Sequence, residues 1–226
     1  MRSNEKDMKI NEYIEITNED NMEVMKRYPD NYFDLAIVDP PYGLGKRLVD
    51  GGSVSPLIKK QNKKVKLWDN NKPKPEYFTE LFRVSKNQII WGGNYFINDL
   101  KDARCYIVWD KTIHGNTYAD CDLAWTSFDT PARIFSENIA ITTSEGRIHP
   151  TQKSIRLYEW IMTKYAKEND KILDTHLGSG SIAIALDNIN KIEKMNLTLT
   201  ACELDEDYYN SATKRIIAKT NWISTF

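Results

Sequence analysis

The chain has 226 residues, 41% hydrophobic and 28% charged, with 31 Lys and Arg against 32 Asp and Glu for a formal net charge of -1. That length fits one sizeable α/β domain, or one domain with a small insert, and the balance is ordinary for a globular protein. It excludes a partner held by global charge, so any nucleic-acid contact must come from a local basic surface. Cys105, Cys121 and Cys202 are scattered and form no CxxC pair, which argues against a disulfide framework and a zinc site. The opening MRSNEKDMKI holds no apolar h-region, and no apolar run reaches the length of a membrane span. The expectation is a soluble cytoplasmic protein with no membrane contact and no metal.

In chain order, Tyr13-Ile14-Glu15-Ile16 alternates as a short strand, and Asn18-Glu19-Asp20 caps a short helix carrying Met22, Val24 and Met25. Leu35-Ala36-Ile37-Val38 is a continuous apolar run, the pattern of a strand buried on both faces of a parallel sheet. It ends at Asp39-Pro40-Pro41-Tyr42, where the prolines stop the ladder. Residues 43–71 read as a flexible basic loop rich in Gly, Ser and Lys. Tyr77, Phe78, Leu81 and Phe82 make a helical stripe, and strands follow at Gln88–Trp91 and Cys105–Trp109. Residues 110–148 are mixed, with strand-like pieces at Leu123–Trp125 and Arg133–Phe135, and read as a small insert. Ile155, Tyr158, Ile161, Met162 and Tyr165 recur at helical spacing. A short strand, Ile172-Leu173-Asp174, runs into Gly178-Ser179-Gly180-Ser181, followed by an apolar helix, a strand ending at Glu203, and a last helix with Tyr208, Tyr209, Ala212 and Ile216. Strands alternating with helices predict a single α/β domain over residues 1–226, a Rossmann-like doubly wound and mostly parallel sheet.

Two segments carry chemistry. A strand, Asp174, a Gly-Ser-Gly-Ser turn and a helix form the arrangement that brings backbone close to a nucleoside ligand. Glu203, at the end of the next strand, suits the hydroxyls of a ribose. The pattern is neither GxxxxGK[ST] nor a clean GxGxxG, so the P-loop and NAD readings weaken. The other segment is Asp39-Pro40-Pro41-Tyr42. An exocyclic base amine is a poor nucleophile because its lone pair is delocalised into the ring. The Asp39 carboxylate and the Pro40 carbonyl supply two acceptors for its two N–H groups, the prolines fix the carbonyl's direction, and Tyr42 offers a flat face to an extruded base.

Together these residues resemble the amino-methyltransferases of DNA, in the circularly permuted β group where the catalytic DPPY precedes the glycine motif. His149-Pro150-Thr151-Gln152-Lys153 resembles that family's HPTQKP segment, and Asn18-Glu19-Asp20 through Asp34 resembles its lead-in to DPPY. The resemblance implies the fold of an S-adenosylmethionine-dependent methyltransferase acting on adenine N6 after base flipping, because cytosine-amine enzymes more often carry Ser in place of the Asp. It implies that Asp174, Gly178 and Gly180 cradle the cofactor's methionine end with Thr151 and Lys153 nearby, and that Asp20 and Leu204 hold or flank its adenine. His176, Ser179 and Ser181 belong to the same turn and count as cofactor-binding. Two departures stand out: Ser154 replaces the usual proline, and Thr175-His176 replaces Pro-Phe. His176, without an evident partner, reads as a neutral packing residue rather than a base.

Lys46, Arg47, Lys59, Lys60, Lys63, Lys64 and Lys66 make the loop after DPPY a candidate phosphate surface. Residues 110–148, with Lys111, His114, Asn116, Tyr118 and Arg133, are the candidate target-recognition segment. Its shortness points to a brief sequence preference, or to help from a second subunit in a homodimer. Competing readings are a cytosine N4 or RNA amine methyltransferase, and a DNA-binding or cofactor-sensing module that keeps the fold without turnover.

Overall fold

The computed structural model describes residues 7–45, 69, 71–115, 119–149 and 151–220. Its centre is the apolar run that ends at Asp39. Strand β3 (Phe33–Val38) is buried at every position but Asp34, and it is parallel to a strand on either side. One neighbour is β8 (Lys171–Asp174), with Leu35 opposite Ile172, and the other is β4 (Ser85–Trp91), with Leu35 opposite Asn87. Beyond β8 the sheet continues through β9 (Thr198–Cys202) and β2 (Ile14–Thr17), both parallel, to the antiparallel edge strand β1 (Asp7–Lys9). Beyond β4 come β6 (Cys121–Thr126), antiparallel, then β5 (Tyr106–Asp110) and the edge strand β7 (Arg133–Ser136). The order among the described residues is β1-β2-β9-β8-β3-β4-β6-β5-β7.

Residues 110–148, expected as a small target-recognition insert, hold two strands of the same sheet, β6 and β7. Ala124, Trp125 and Thr126 are buried against β4, so β6 is an integral strand of the main sheet, and β7 closes its edge. Polar connections on either side of each short strand hide that membership from a periodicity reading.

The two-residue period of β3 sends Leu35 and Ile37 into one apolar cluster and Ala36 and Val38 into another. The first cluster packs helices α4 (Ile155–Tyr165), α5 (Ser181–Glu193) and α6 (Glu206–Thr220) on one face. The second packs α1 (Asn21–Lys26) and α2 (Pro75–Val84) on the other, and the short α3 (Ile139–Ser144) precedes the 149–153 segment. Helices on both faces are the doubly wound arrangement. Caps explain where these helices begin. Asp20 accepts from the Met22 N–H at 2.8 Å, and Pro75 opens α2 at a position where a missing N–H costs nothing. Ser154 accepts from the Leu157 N–H at 3.1 Å, so the residue standing where proline is usual works as the N-cap of α4.

The chain leaves β3 toward β4 through α2 and leaves β8 toward β9 through α5, in opposite directions across the sheet. Where two adjacent parallel strands part in this way, a crevice opens at their carboxyl ends. Asp39 follows β3 and Thr175 follows β8, so both segments with chemistry reach the same crevice.

Candidate active site

A cavity of about 950 Å³ occupies that crevice. Asp39 and Pro41 line it from β3, and His176, Gly178, Ser179 and Ser181 from the turn after β8. Asp20, Thr151, Lys153, Glu203 and Leu204 complete the expected residues that reach it. Pro40, Tyr42, Asp174 and Gly180 are not among the lining residues. His149, Tyr77, Tyr158 and Tyr208 also line it, and no sequence pattern had marked those tyrosines as site residues.

Asp39 is gripped from two sides. The Tyr42 hydroxyl donates to Oδ1 at 2.6 Å, and the Lys153 ammonium donates to Oδ2 at 2.5 Å. Lys153 also stands 4.8 Å from the centre of the Trp91 ring. The Tyr42 ring stacks on Tyr95, centroids 4.9 Å apart and planes 16° from parallel. It also meets Phe96 edge-on, centroids 6.1 Å apart, and lies against Gly92, which has a φ of +71° and where a Cβ would fall 2.2 Å from the ring. Burial, with the Asp39 carboxylate adding to it, pushes the Tyr42 hydroxyl well above the ordinary tyrosine range, so it stays a neutral donor. In this conformation one face of Tyr42 stacks on Tyr95 and its hydroxyl is bonded to Asp39. Just beyond, buried Asp69 accepts from the Gly43 and Leu44 N–H groups, each at 2.9 Å, and ties down the chain leaving Tyr42. Burial pushes its carboxyl up.

The turn after β8 is fixed by the strand beside it. Glu203 Oε2 accepts from the Gly178 N–H at 2.9 Å and Oε1 from the Asp205 N–H at 3.0 Å. Asn18, from the end of β2, donates to the Glu203 carbonyl at 2.8 Å. Burial pushes the Glu203 carboxyl up. Asp174 accepts from the His176 N–H at 3.0 Å. Burial, joined by the nearby Asp39 and Glu203 carboxylates, pushes Asp174 up to about 8. The two glycines do different work. At Gly178 a Cβ would meet nothing closer than 3.7 Å, an ordinary contact, so its φ of +53° rather than crowding calls for glycine there. At Gly180 it would fall 2.7 Å from Ile216 Cδ1. Gly180 thus serves the packing of α5 against α6. Arg215 of α6 donates to the Ser179 carbonyl at 2.9 Å and to Ser181 Oγ at 3.1 Å.

Thr175 and His176 form a polar chain. Tyr77 and Thr175 share a hydrogen bond of 2.6 Å, Thr175 and His176 Nδ1 one of 2.9 Å, and Asn21 meets His176 Nε2 at 3.2 Å. Burial pushes His176 down to about 4, and His149 likewise to about 4. Both imidazoles are neutral near pH 7, so neither offers a cation to the site.

The DNA methylase family of N6/N4 type matches residues 54–214. The chain belongs to this family. Its curated relatives include the type II methyltransferase M2.DpnII of Streptococcus pneumoniae, 27% identical over 152 residues that cover 67% of this chain and 50% of that protein. M2.LlaDCHI of Lactococcus lactis subsp. cremoris, also a type II methyltransferase, is 28% identical over 149 residues, 66% of this chain and 48% of that protein. The chain spans about half the length of these relatives. Among solved structures, the M1.HpyAVI–SAM complex superposes with a TM-score of 0.55 at 19% identity, covering 90% of this chain and 98% of that one. The cytosine-N4-specific PvuII DNA methyltransferase superposes at 0.58 and 11% identity, covering 91% and 86%. Both share the fold. The family match begins after Tyr42, so the place of Asp39 in the site stands on geometry.

For this DNA methylase family member, the structure describes few of the expected DNA contacts. Lys46, Arg47, Lys59, Lys60, Lys63, Lys64 and Lys66 lie outside the described residues, as do Asn116 and Tyr118. Lys111 is paired with Asp122 at 2.7 Å and is largely buried, and Arg133 is exposed on the edge strand β7; neither lines the cavity. His114 is exposed and bonded to Asp110 at 2.8 Å. Among the described residues, the lysines that reach the cavity are Lys26, Lys72, Lys74 and Lys153. Among the described residues no cluster of three or more His, Cys, Asp or Glu is arranged to hold a metal, and no helix is long and apolar enough to cross a membrane.

Proposed function

We propose that this chain methylates an exocyclic amine of a base in DNA, N6 of adenine, with S-adenosylmethionine as donor and the base extruded from the duplex. The observation that carries this reading is Asp39, held by Tyr42 and Lys153, in one cavity with the glycine turn of the neighbouring strand. The cavity residues fit the cofactor. Glu19, Asp20, Glu203 and Asp205 line the cavity, acceptors suited to the hydroxyls and ring amine of a nucleoside and to the positive charge such a cofactor carries. Gly178 leaves room for close approach.

When bound, the cofactor supplies a methyl group already activated as a sulfonium, so transfer needs no covalent enzyme nucleophile. The chain's own residues do the rest. Glu203 and Asp20 would hold the nucleoside end, and the turn from His176 to Ser181 the methionine end. Asp39 accepts one amine proton in a hydrogen bond and the Pro40 carbonyl the other, which localises the nitrogen lone pair toward the methyl. Positive charge then developing on the nitrogen is stabilised by the Asp39 carboxylate. Catalysis of this kind rests on orientation and electrostatics.

The adenine assignment rests on the resemblance of Asp39-Pro40-Pro41-Tyr42 to the adenine-type motif. Purified protein, tritiated S-adenosylmethionine and unmethylated DNA, followed by digestion to nucleosides, test it. Label in N6-methyldeoxyadenosine is the expected outcome. Label in N4-methyldeoxycytidine would move the assignment to the other amine, and label in neither would end the reading.

A further inference from the structure

By its place in the 149–153 segment Lys153 looks like a cofactor contact, yet its ammonium is engaged elsewhere. The side chain is 1% exposed and its nitrogen meets Asp39 Oδ2 at 2.5 Å, across 114 residues of sequence. A buried ammonium needs a partner, because leaving water unpaired is strongly disfavoured. Here the partners are one carboxylate oxygen and the face of Trp91, 4.8 Å away. The segment that carries Lys153 is itself rigid. Gln152, Lys153 and Ser154 are all buried, Gln152 accepts from the Ile148 N–H at 3.0 Å, and Ser154 caps α4. Lys153 is thus a fixed post, not a side chain free to follow a ligand.

We infer that Lys153 is a positioning residue for methyl transfer: paired with Oδ2 while Tyr42 holds Oδ1, it fixes the plane of the Asp39 carboxylate. A carboxylate bonded through one oxygen alone keeps rotational freedom about its Cβ–Cγ bond. Donors on both oxygens remove that freedom, and the lone pairs left over point in set directions into the cavity. The amine must be met along one of them for its own lone pair to face the methyl. Misplacement of a reacting group by about 1 Å costs on the order of 100-fold in rate. This rests on the reaction proposed above.

The test separates positioning from cofactor binding. For wild type, K153M and K153Q, one measures the Kd for S-adenosylhomocysteine by calorimetry and the single-turnover rate of methyl transfer to DNA at saturating cofactor. K153M is expected to slow transfer on the order of 100-fold while the Kd stays within about threefold. K153Q, whose amide can still donate to Oδ2, is expected to recover about tenfold of that loss. If K153M does not fold, K153Q decides alone, with transfer about tenfold slower than wild type at unchanged Kd. Unchanged rates in the variants, or rate losses that vanish once a weakened Kd is saturated, would overturn the inference, the second by making Lys153 a cofactor ligand. A wild-type protein that binds the cofactor product and methylates no DNA would overturn the underlying reaction instead, and that is visible without any variant.

Discussion

Asp174 sits behind the cavity wall with its carboxyl raised to about 8 by burial and by two neighbouring carboxylates. In the folded protein without ligand it therefore holds its proton at pH 7. A cationic ligand beside it favours the ionised form, so binding at pH 7 releases a proton. The affinity for S-adenosylmethionine is expected to rise with pH by up to about tenfold per unit and to level off above pH 8. Calorimetry in two buffers of different ionisation enthalpy reads the proton directly, and equal heats in both would contradict the coupling. The same shift has a consequence for stability. Between the ordinary aspartate value and about 8 the unfolded chain has lost this proton and the folded chain has kept it, so stability falls as pH rises through that window. Asp174→Asn removes this dependence. Its melting temperature, relative to wild type, is expected to be more favourable at pH 8 than at pH 5, while cofactor affinity drops. A melting difference independent of pH would refute the raised value.

Gly92 poses the opposite problem, of space rather than charge. Its φ of +71° and the Tyr42 ring 2.2 Å from a built Cβ mean that Gly92→Ala must displace the tyrosine whose hydroxyl holds Asp39. Transfer is expected to fall by at least about tenfold, the cost of losing one hydrogen bond to a charged group, with cofactor affinity retained. Wild-type turnover in this variant would show that the Tyr42 position does not matter.

At the scale of elements, Gly180 links α5 to α6. An alanine there meets Ile216 and takes a left-handed φ of +73°, strained by about 1–2 kcal/mol before any clash. Gly180→Ala is expected to destabilise the protein in denaturant titration, and to cost less in an Ile216→Ala background, which removes both the Cδ1 and the Cγ1 contact and leaves only the part due to φ. Full recovery, or none, would contradict this division. Elements are also where the sequence was most legible. The apolar run Leu35–Val38, the helical stripes at 77–82 and 155–165, and the Asp20 cap all announce their structures locally, because burial on one or two faces fixes the period. The strands β6 and β7 are legible as strands, but their place in the main sheet is not, since nothing local records that Trp125 pairs with β4. The glycine turn was legible as a turn, but which glycine faces the cavity was not, because that depends on Ile216 thirty-six residues away. Lys153 shows the same gap: its motif suggested a cofactor contact, and only the fold brings it to Asp39.

Across the whole molecule, the site exists because β3 and β8 lie side by side and their connections part. Asp39 comes before the glycine turn in the chain by more than a hundred residues, yet both meet at one crevice. The family resemblance stated from the motifs anticipated that adjacency, which periodicity alone could not. The central claim is that this crevice holds cofactor on one side and presents an amine to Asp39 on the other. Asp39→Ala tests it most directly, measured as tritium transferred from S-adenosylmethionine to DNA beside cofactor binding by the same preparation. Loss of transfer by about 100- to 1,000-fold, the scale of removing a principal electrostatic group from a site of this kind, with binding intact is the predicted result. Equal labelling of DNA by the variant and the wild type would contradict it.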